Sequence, residues 1–462
     1  MTCTFVPPYL LQQIARRAGT QHACDSGRGT LQVDDRLRAR RDSPPHEMAA
    51  PRLPGISTRV VHTANNTETL PGAVVRSDGD PPSGDLAVDE AFDSSGQALD
   101  LFQSQFGRRS IDGHGGAVSI TVHYGRDYDN AFWDGSQLVF GDGDGQIFER
   151  FTKPMDVMTH EFTHGVTQFT VGLAYQDQPG ALNESISDVF AAMAKQRMLG
   201  QSAAEADWLI AEGLFKPEIN AKALRSMKEP GTAYDDPQIG RDLQVGSMAD
   251  YVNTSDDSGG VHINSGIPNR AFALASLAIG GASWEKAGQV WYDTLVNGAL
   301  SSRAGFRSFA EATVASAGRL FMNEPSIGEK IRAAWAEVGV LDSQPPADVG
   351  AGQPVGVGTA YRAGLPNPPA DAEQPATVAV RRTGGFAGTT KEGQLDLNSD
   401  PEGSEVRHLL MRVGRQEITS TRPAPDRFVY TVEYGDWRFT VPEQDLTPEL
   451  RRLVQVVLNR GG

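Results

Sequence analysis

The chain has 462 residues with 42 basic and 58 acidic side chains, a formal charge of −16. That balance argues against nucleic acid or an anionic membrane as the main partner, because both need a basic surface. The length exceeds one compact core and predicts two or three domains. The composition, 39% hydrophobic and 22% charged, is that of an ordinary globular protein.

Residues 1–50 read as a short leader. Met1 to Arg17 lacks the basic, then apolar, then small order of a signal peptide, since Arg16 and Arg17 follow the apolar stretch. Classical export is therefore not encoded there. Phe5 to Leu11 is a proline-stiffened apolar plug, followed by a helix-like Leu11 to Arg17. The basic stretch Arg36 to Arg41 runs into Ser43-Pro44-Pro45, which favours extended backbone. On composition alone the leader reads equally well as a disordered tail. Both cysteines, Cys3 and Cys24, lie within it, so no disulfide staples the rest of the chain.

Residues 51–155 carry strand signals. Val118 to Val122 alternates with period two, and Leu138 to Phe140 leads into Gly141-Asp-Gly-Asp-Gly145. That run lacks the spacing and terminal glutamate of a calcium-binding EF-hand and reads as a turn. Residues 156–341 are helical in pattern: Asp156 to Gly172, Asn183 to Leu199, then amphipathic stretches such as Trp284 to Leu300 and Phe306 to Leu320. No apolar run reaches transmembrane length. Asp342 to Pro375, rich in Pro, Ala and Gly, marks a linker over 342–376. In the last segment, 377–462, Thr377 to Arg382 and Phe428 to Tyr434 alternate like strands and Thr447 to Leu458 closes as a helix. This is a small α+β domain.

The chemistry is concentrated at His160-Glu161-Phe162-Thr163-His164. On a helix His160 and His164 project from one face, one turn apart, at a spacing that suits zinc. A hydrolytic zinc site needs a third protein ligand, and Glu184 is the best candidate. Asp188 lies one turn further on and can accept the outer N–H of a ligand histidine, which fixes the imidazole tautomer. Glu161 is then free to act as general base toward the water. His262, on the glycine-rich turn Ser258-Gly-Gly-Val-His262, can donate to an oxyanion, with Asp257 orienting it.

At these residues the chain resembles the thermolysin family of zinc metallopeptidases. The resemblance spans most of residues 56–341 and rests on Asn130 to Trp133, Gly141 to Gly145, His160 to His164, Gly180 to Asp188, Ala223 to Met227 and Gly259 to Gly266. It implies an α+β fold with a β-rich N-terminal lobe and a helical C-terminal lobe flanking a cleft. It also implies zinc on His160, His164 and Glu184, Glu161 as catalytic base, and Asp188 supporting His160. Tyr175 and His262 would stabilise the oxyanion, with Asp257 behind His262. Arg225 would bind the substrate's carbonyl, and Asn130 and Ala131 its backbone. Phe148, Phe151, Val157, Ile210 and Leu224 align with the apolar pocket after the scissile bond, which favours substrates with Leu or Phe there. Peptides and proteins are the expected substrates.

Two departures are informative. Family members bind paired calcium ions beside the zinc helix. Here Asp156, Asp207 and Glu212 remain, but Lys195 and Leu209 replace two expected acids, so the double calcium site is predicted absent. The long prodomain is also absent. The leader resembles the protealysin branch, in which a brief propeptide covers the active site, and cleavage is expected between Arg41 and Ser57. Cys3 or Cys24 is a candidate thiolate plug for the zinc. The segment from Val378 to Gly388, with Pro425 to Phe428 and Leu446 to Leu458, resembles emfourin, the small protealysin inhibitor. A linker of about 34 residues spans roughly 30 Å, which sets a local concentration around millimolar. The chain is thus expected to carry its own inhibitor, or a passive accessory module. Secretion by a non-classical route is expected, with a cytoplasmic location as the alternative. A zinc aminopeptidase shares the ligand set, and a self-inhibited binding protein is the non-catalytic alternative.

Overall fold

The computed structural model describes residues 3–39, 58–298 and 300–342. Toward the C-terminus it describes 377–384, 389–400, 428–434, 437–443, 446–458 and a few positions between 402 and 410. The expected maturation site between Arg41 and Ser57, almost all of the linker and parts of the emfourin-like motifs lie outside the described residues. The chain falls into two compact units, Met1–Ala347 and Asp348–Gly462.

The first unit is built on a six-stranded sheet. Its strands are β1 (Cys3–Thr4), β2 (Arg59–Thr67), β3 (Ala73–Ser77), β4 (Val118–Tyr124), β5 (Ala131–Trp133) and β6 (Leu138–Phe140), in spatial order β1-β5-β6-β4-β2-β3. β4 runs parallel to both β2 and β6, and the other neighbours are antiparallel. The sheet contains a strand from the leader: β1 pairs with β5 in the register Cys3↔Trp133 and Thr4↔Phe132.

The leader is ordered around two helices, α1 (Pro8–Arg17) and α2 (Gln21–Ala39). Proline at the first helical position of α1 costs no hydrogen bond, since that N–H has no intrahelical partner. Leu10, Leu11 and Ile14 of α1 are buried in the main apolar cluster of the first unit, together with Phe5 and Val6. On α2 the buried positions Ser26, Thr30 and Asp34 recur every four residues and are polar. Ser26 donates to Asp129, Thr30 accepts from the Asp129 amide, and Asp34 accepts from Tyr128 and Asn130. The disordered-tail reading is thus corrected for residues 3–39. Its physical cause is that α2 is held by hydrogen bonds to the loop before β5, which an apolar periodicity does not reveal.

Helix α3 (Leu86–Phe106) packs on the sheet and on the zinc-motif helix. Asp85 caps it by accepting from the Ala87 and Val88 amides, and Gly107 ends it at φ 66°. Next come α4 (Met155–Gln168) and α5 (Asp177–Leu199), packed against each other. Every residue of α4 from Asp156 to Thr167 is buried, so this stretch has no solvent-exposed face and its polar side chains lie inside the protein. The remaining helices are α6 (Asp257–Asn264), α7 (Gly266–Ile279), α8 (Ala287–Asn297), α9 (Phe306–Leu320) and α10 (Ser326–Glu337). Trp291 of α8 stacks on Trp335 of α10 at 6.0 Å. The expected helix from Trp284 begins only at Ala287.

The second unit is a four-stranded antiparallel sheet of β7 (Thr377–Gly384), β8 (Thr389–Asp396), β9 (Phe428–Tyr434) and β10 (Trp437–Pro442), in the order β8-β7-β9-β10. A closing helix, Pro448–Leu458, packs on β7 and β8. Its Leu450, Leu453 and Val457 share one apolar core with Val378, Val380 and Val432.

Candidate active site

α4 and α5 bring four of the expected residues together. His160 and His164, one turn apart, turn their Nε2 atoms toward each other at 3.0 Å. Their outer nitrogens are both engaged: His160 Nδ1 lies 2.8 Å from Asp188 Oδ1, and His164 Nδ1 lies 2.9 Å from Asn183 Oδ1. Both partners are acceptors, so each Nδ1 carries a proton, and the two Nε2 atoms can face one another only with a proton or a metal ion between them. Burial opposes protonation of His160, but Asp188 and Glu184 outweigh it and raise its pKa to about 9, so in the metal-free protein the proton fills that place. A tetrahedral zinc at 2.0–2.1 Å from both nitrogens would hold them about 3.3 Å apart. Glu184 completes the set, with carboxylate oxygens 3.4 Å from His160 Nε2 and 3.5 Å from His164 Nε2. Its Oε2 is buried without a hydrogen-bond partner. The donor set therefore fits a divalent metal. Burial lowers the His164 pKa to about 3, the neutral form that metal binding needs.

Glu161 lies beside this group, its donor atoms within 4.8 Å of those of His160 and His164. It is completely buried and both of its carboxylate oxygens lack a partner. Burial pushes its carboxyl up to about 8, well above the ordinary range of a glutamate.

Asp188 holds two more side chains besides His160. It receives the Arg225 guanidinium through two contacts of 2.8 Å and the Asn269 amide at 2.8 Å. Arg225 is positioned by a short antiparallel ladder in which Leu209–Ile210 pairs with Arg225–Ser226. On the opposite wall, His262 Nδ1 lies 2.6 Å from Asp257 Oδ1, and its backbone amide donates to the other Asp257 oxygen. The turn that allows this has left-handed backbone from Asp257 to Gly260. At Gly259, φ is +85°, and a Cβ would fall 2.0 Å from Asp177 Oδ1. The Tyr175 hydroxyl donates to Glu184 and lies 3.4 Å from His262 Nε2. Phe148, Phe151, Val157, Ile210 and Leu224 are all buried in one cluster with Phe5 and Val6.

The leader crosses this site as an extended strand. The Phe5 amide donates to the Ala131 carbonyl at 3.0 Å, and the Val6 amide donates to Asn130 Oδ1 at 2.7 Å. Arg225 donates to the Phe5 carbonyl at 3.1 Å, and His262 Nε2 lies 2.9 Å from the Thr4 carbonyl. The Phe5 ring meets His160 edge-on at 4.9 Å. Cys3 packs against Tyr175 and Val261, and Cys24 points its sulfur at the Ala18 carbonyl. Among the described residues, neither belongs to the metal-donor group.

Comparison with known proteins decides what this arrangement belongs to. Residues 26–168 match the thermolysin metallopeptidase catalytic domain and 171–340 its alpha-helical domain, while 380–458 match emfourin. Over 340 residues the chain is 47% identical to an extracellular metalloprotease of Pectobacterium carotovorum subsp. carotovorum, covering 73% of this chain and 96% of that one. The chain belongs to the thermolysin family of metallopeptidases. Protease PrtS of Photorhabdus sp. is 40% identical over 344 residues, covering 72% of this chain and 91% of its own. The precursor of protealysin, a metalloproteinase from Serratia proteamaculans, superposes with a TM-score of 0.66 at 47% identity, covering 73% of this chain and 99% of that structure. The two-lobe thermolysin fold and the emfourin-type C-terminal domain are thus features of this chain.

Sequence reasoning did not find Asn183, Asn269 or the leader residues Thr4 to Val6. Asn183 adjoins Glu184, so its position on the helix was a usable signal. Asn269, 81 residues from Asp188, offers none.

Proposed function

We propose that the chain is the precursor of a zinc endopeptidase that cuts before large apolar residues. One observation carries this: the leader lies across the site with its backbone held by Ala131, Asn130, Arg225 and His262 and with Phe5 buried beside His160. A peptide substrate takes the same place. His160, His164 and Glu184 would hold zinc, which would supply Lewis-acid chemistry and lower the pKa of a water there. Glu161 takes the proton of the attacking water and returns it to the leaving nitrogen. His262, kept oriented by Asp257, and Tyr175 donate to the carbonyl oxygen as it gains charge. Arg225 and Asn130 fix the substrate in place, and Asp188 fixes both Arg225 and His160.

The endopeptidase reading is favoured over an aminopeptidase because Cys3 and Thr4 continue the bound strand past the Thr4 carbonyl, paired with β5. An aminopeptidase would close the cleft there around a free amine. The C-terminal emfourin-type domain restrains the enzyme, and the leader keeps the precursor inactive. Action outside the cell follows from the likeness to the extracellular enzyme of Pectobacterium. No described helix is long and apolar enough to cross a membrane.

The test compares zinc-loaded full chain and a chain ending at Leu341, each given a short peptide with Gly-Leu at its centre. Cleavage before Leu, lost in Glu161→Gln and faster in the shortened chain, is expected. Equal rates would remove the inhibitory role of residues 377–462. Unchanged cleavage by Glu161→Gln would overturn the mechanism.

A further inference from the structure

We propose that Asp256 selects peptides that carry arginine or lysine immediately before the scissile bond. This rests on reading the site as a peptidase centre, and adds to it a preference on the side of the bond opposite the apolar pocket.

The leader shows where that residue lies. The Thr4 carbonyl faces His262, the donor placed for the oxyanion, at 2.9 Å. A substrate on the same path puts the residue before the bond in the place of Thr4. Successive side chains of an extended strand point to opposite faces. Phe5 goes to the buried side, where its ring meets His160. Thr4, on the other face, lines a cavity of about 260 Å³. The wall of this cavity is the turn that opens α6, with Asp256, Asp257, Ser258 and His262, and Tyr175 beside it. A side chain longer than threonine's extends into that space.

The charge on the wall decides which side chain is favoured. Asp257 is committed to His262, whose Nδ1 lies 2.6 Å away and whose amide it also accepts. Asp256 is held only by its backbone: its amide donates to the Thr254 hydroxyl, and its carbonyl accepts from the Gly259 and Gly260 amides. Its exposed carboxylate has no hydrogen-bond or ion-pair partner among the described residues. Asp177 adds negative charge behind the turn, its Oδ1 lying 2.0 Å from where a Cβ on Gly259 would fall. Among the described residues lining the cavity, the cationic side chains are His262, matched by Asp257, and Arg38. Arg38 belongs to α2 of the leader and is paired there with Asp35 at 2.8 Å. The leader thus brings its own guanidinium into the cavity, together with the carboxylate that neutralises it. Once the leader is gone, Asp256 faces the residue before the bond without a counter-ion. The net charge of −16 adds to the attraction for a cationic side chain and to the repulsion of an anionic one.

The test gives the zinc-loaded full chain carrying Phe5→Asp three peptides that differ only in the residue before Leu: Arg, Gln or Glu. kcat/KM should fall in that order, with Arg at least about tenfold above Glu at low salt. A partly exposed ion pair supplies up to about fivefold, and repulsion of Glu a similar factor. At 1 M salt, where charges are screened beyond about 3 Å, the ratio should shrink. Asp256→Asn should bring the Arg-to-Glu ratio to within about threefold of one, and Asp256→Lys should invert it. Asp93→Asn, the same charge change at an exposed position of α3, should keep the ratio. Binding of the same peptides to Phe5→Asp combined with Glu161→Gln, read by fluorescence anisotropy without turnover, should follow the same order. Equal rates for the three peptides, or a ratio unmoved by Asp256→Asn, would overturn the role of Asp256 and leave the peptidase reading standing. Cleavage of none of the three would overturn that reading with it.

Discussion

Replacing Asp188 by Asn separates the two tasks its carboxylate performs. Asp188 has no exposed surface and accepts from His160, Arg225 and Asn269 in contacts of 2.8 Å. Burial alone would raise its pKa, but Arg225 and His160 hold it at about 2. The Asn variant keeps the shape and removes the charge. Arg225, 2% exposed, is then a buried cation without a counter-ion, and breaking such a pair costs about 3–5 kcal/mol. His160 keeps only an amide oxygen as acceptor, and losing a carboxylate behind a ligand histidine weakens metal binding about 10–100-fold. The first loss is read by urea unfolding of the metal-free protein, and the second by zinc competition with a chromophoric chelator. Both should fall. Native unfolding together with native zinc affinity would refute the idea that Asp188 anchors the site.

Lys195 Nζ lies 2.9 Å from Asp207 and 3.1 Å from Glu212, with the buried Asp156 carboxyl behind them. Millimolar calcium should leave the melting temperature of the native chain unchanged, whereas Lys195→Asp should become calcium-dependent; calcium stabilisation of the native chain would contradict this. The leader should hold less tightly as pH rises. Burial raises Asp34 from 3.8 to about 6 against the hydrogen bonds of Tyr128 and Asn130 and the charge of Arg38, with Asp35 adding to the rise. A carboxyl raised in the docked state stabilises docking fully below about 3.8 and loses that contribution as pH climbs to about 6, about 3 kcal/mol in all. In Glu161→Gln combined with Cys24→Ser, protection of Cys3 from alkylation, taken relative to the urea-unfolded chain at each pH, should therefore weaken between pH 4 and 7, and Asp34→Asn should flatten the profile.

Much of the site was legible because its residues sit at helical spacings. His160 with His164, and Glu184 with Asp188, each lie one turn apart on one helix, so a local motif fixes their geometry. Asp257 and His262 share one turn for the same reason. What escaped was set by partners distant in the chain. α2 is held by Ser26, Thr30 and Asp34, polar residues whose partners lie about a hundred positions away. α3 carries Ser94, Ser95 and Gly96 at its centre, which weakens the helical signal although both serines are buried. β1 is two residues long and acquires meaning only by pairing with β5. β8, with the sequence TTKEGQLD, carries too little alternation to stand out beside β7 and β9.

The central claim is that the cleft cuts peptides and that the leader fills it. The most direct measurement is hydrolysis of a Gly-Leu peptide by zinc-loaded chain with Phe5→Asp, beside the same variant carrying Glu161→Gln. The account predicts cleavage before Leu, at least 10²-fold faster than in the double variant and faster than in the native precursor. Equal and negligible rates in all three would contradict it.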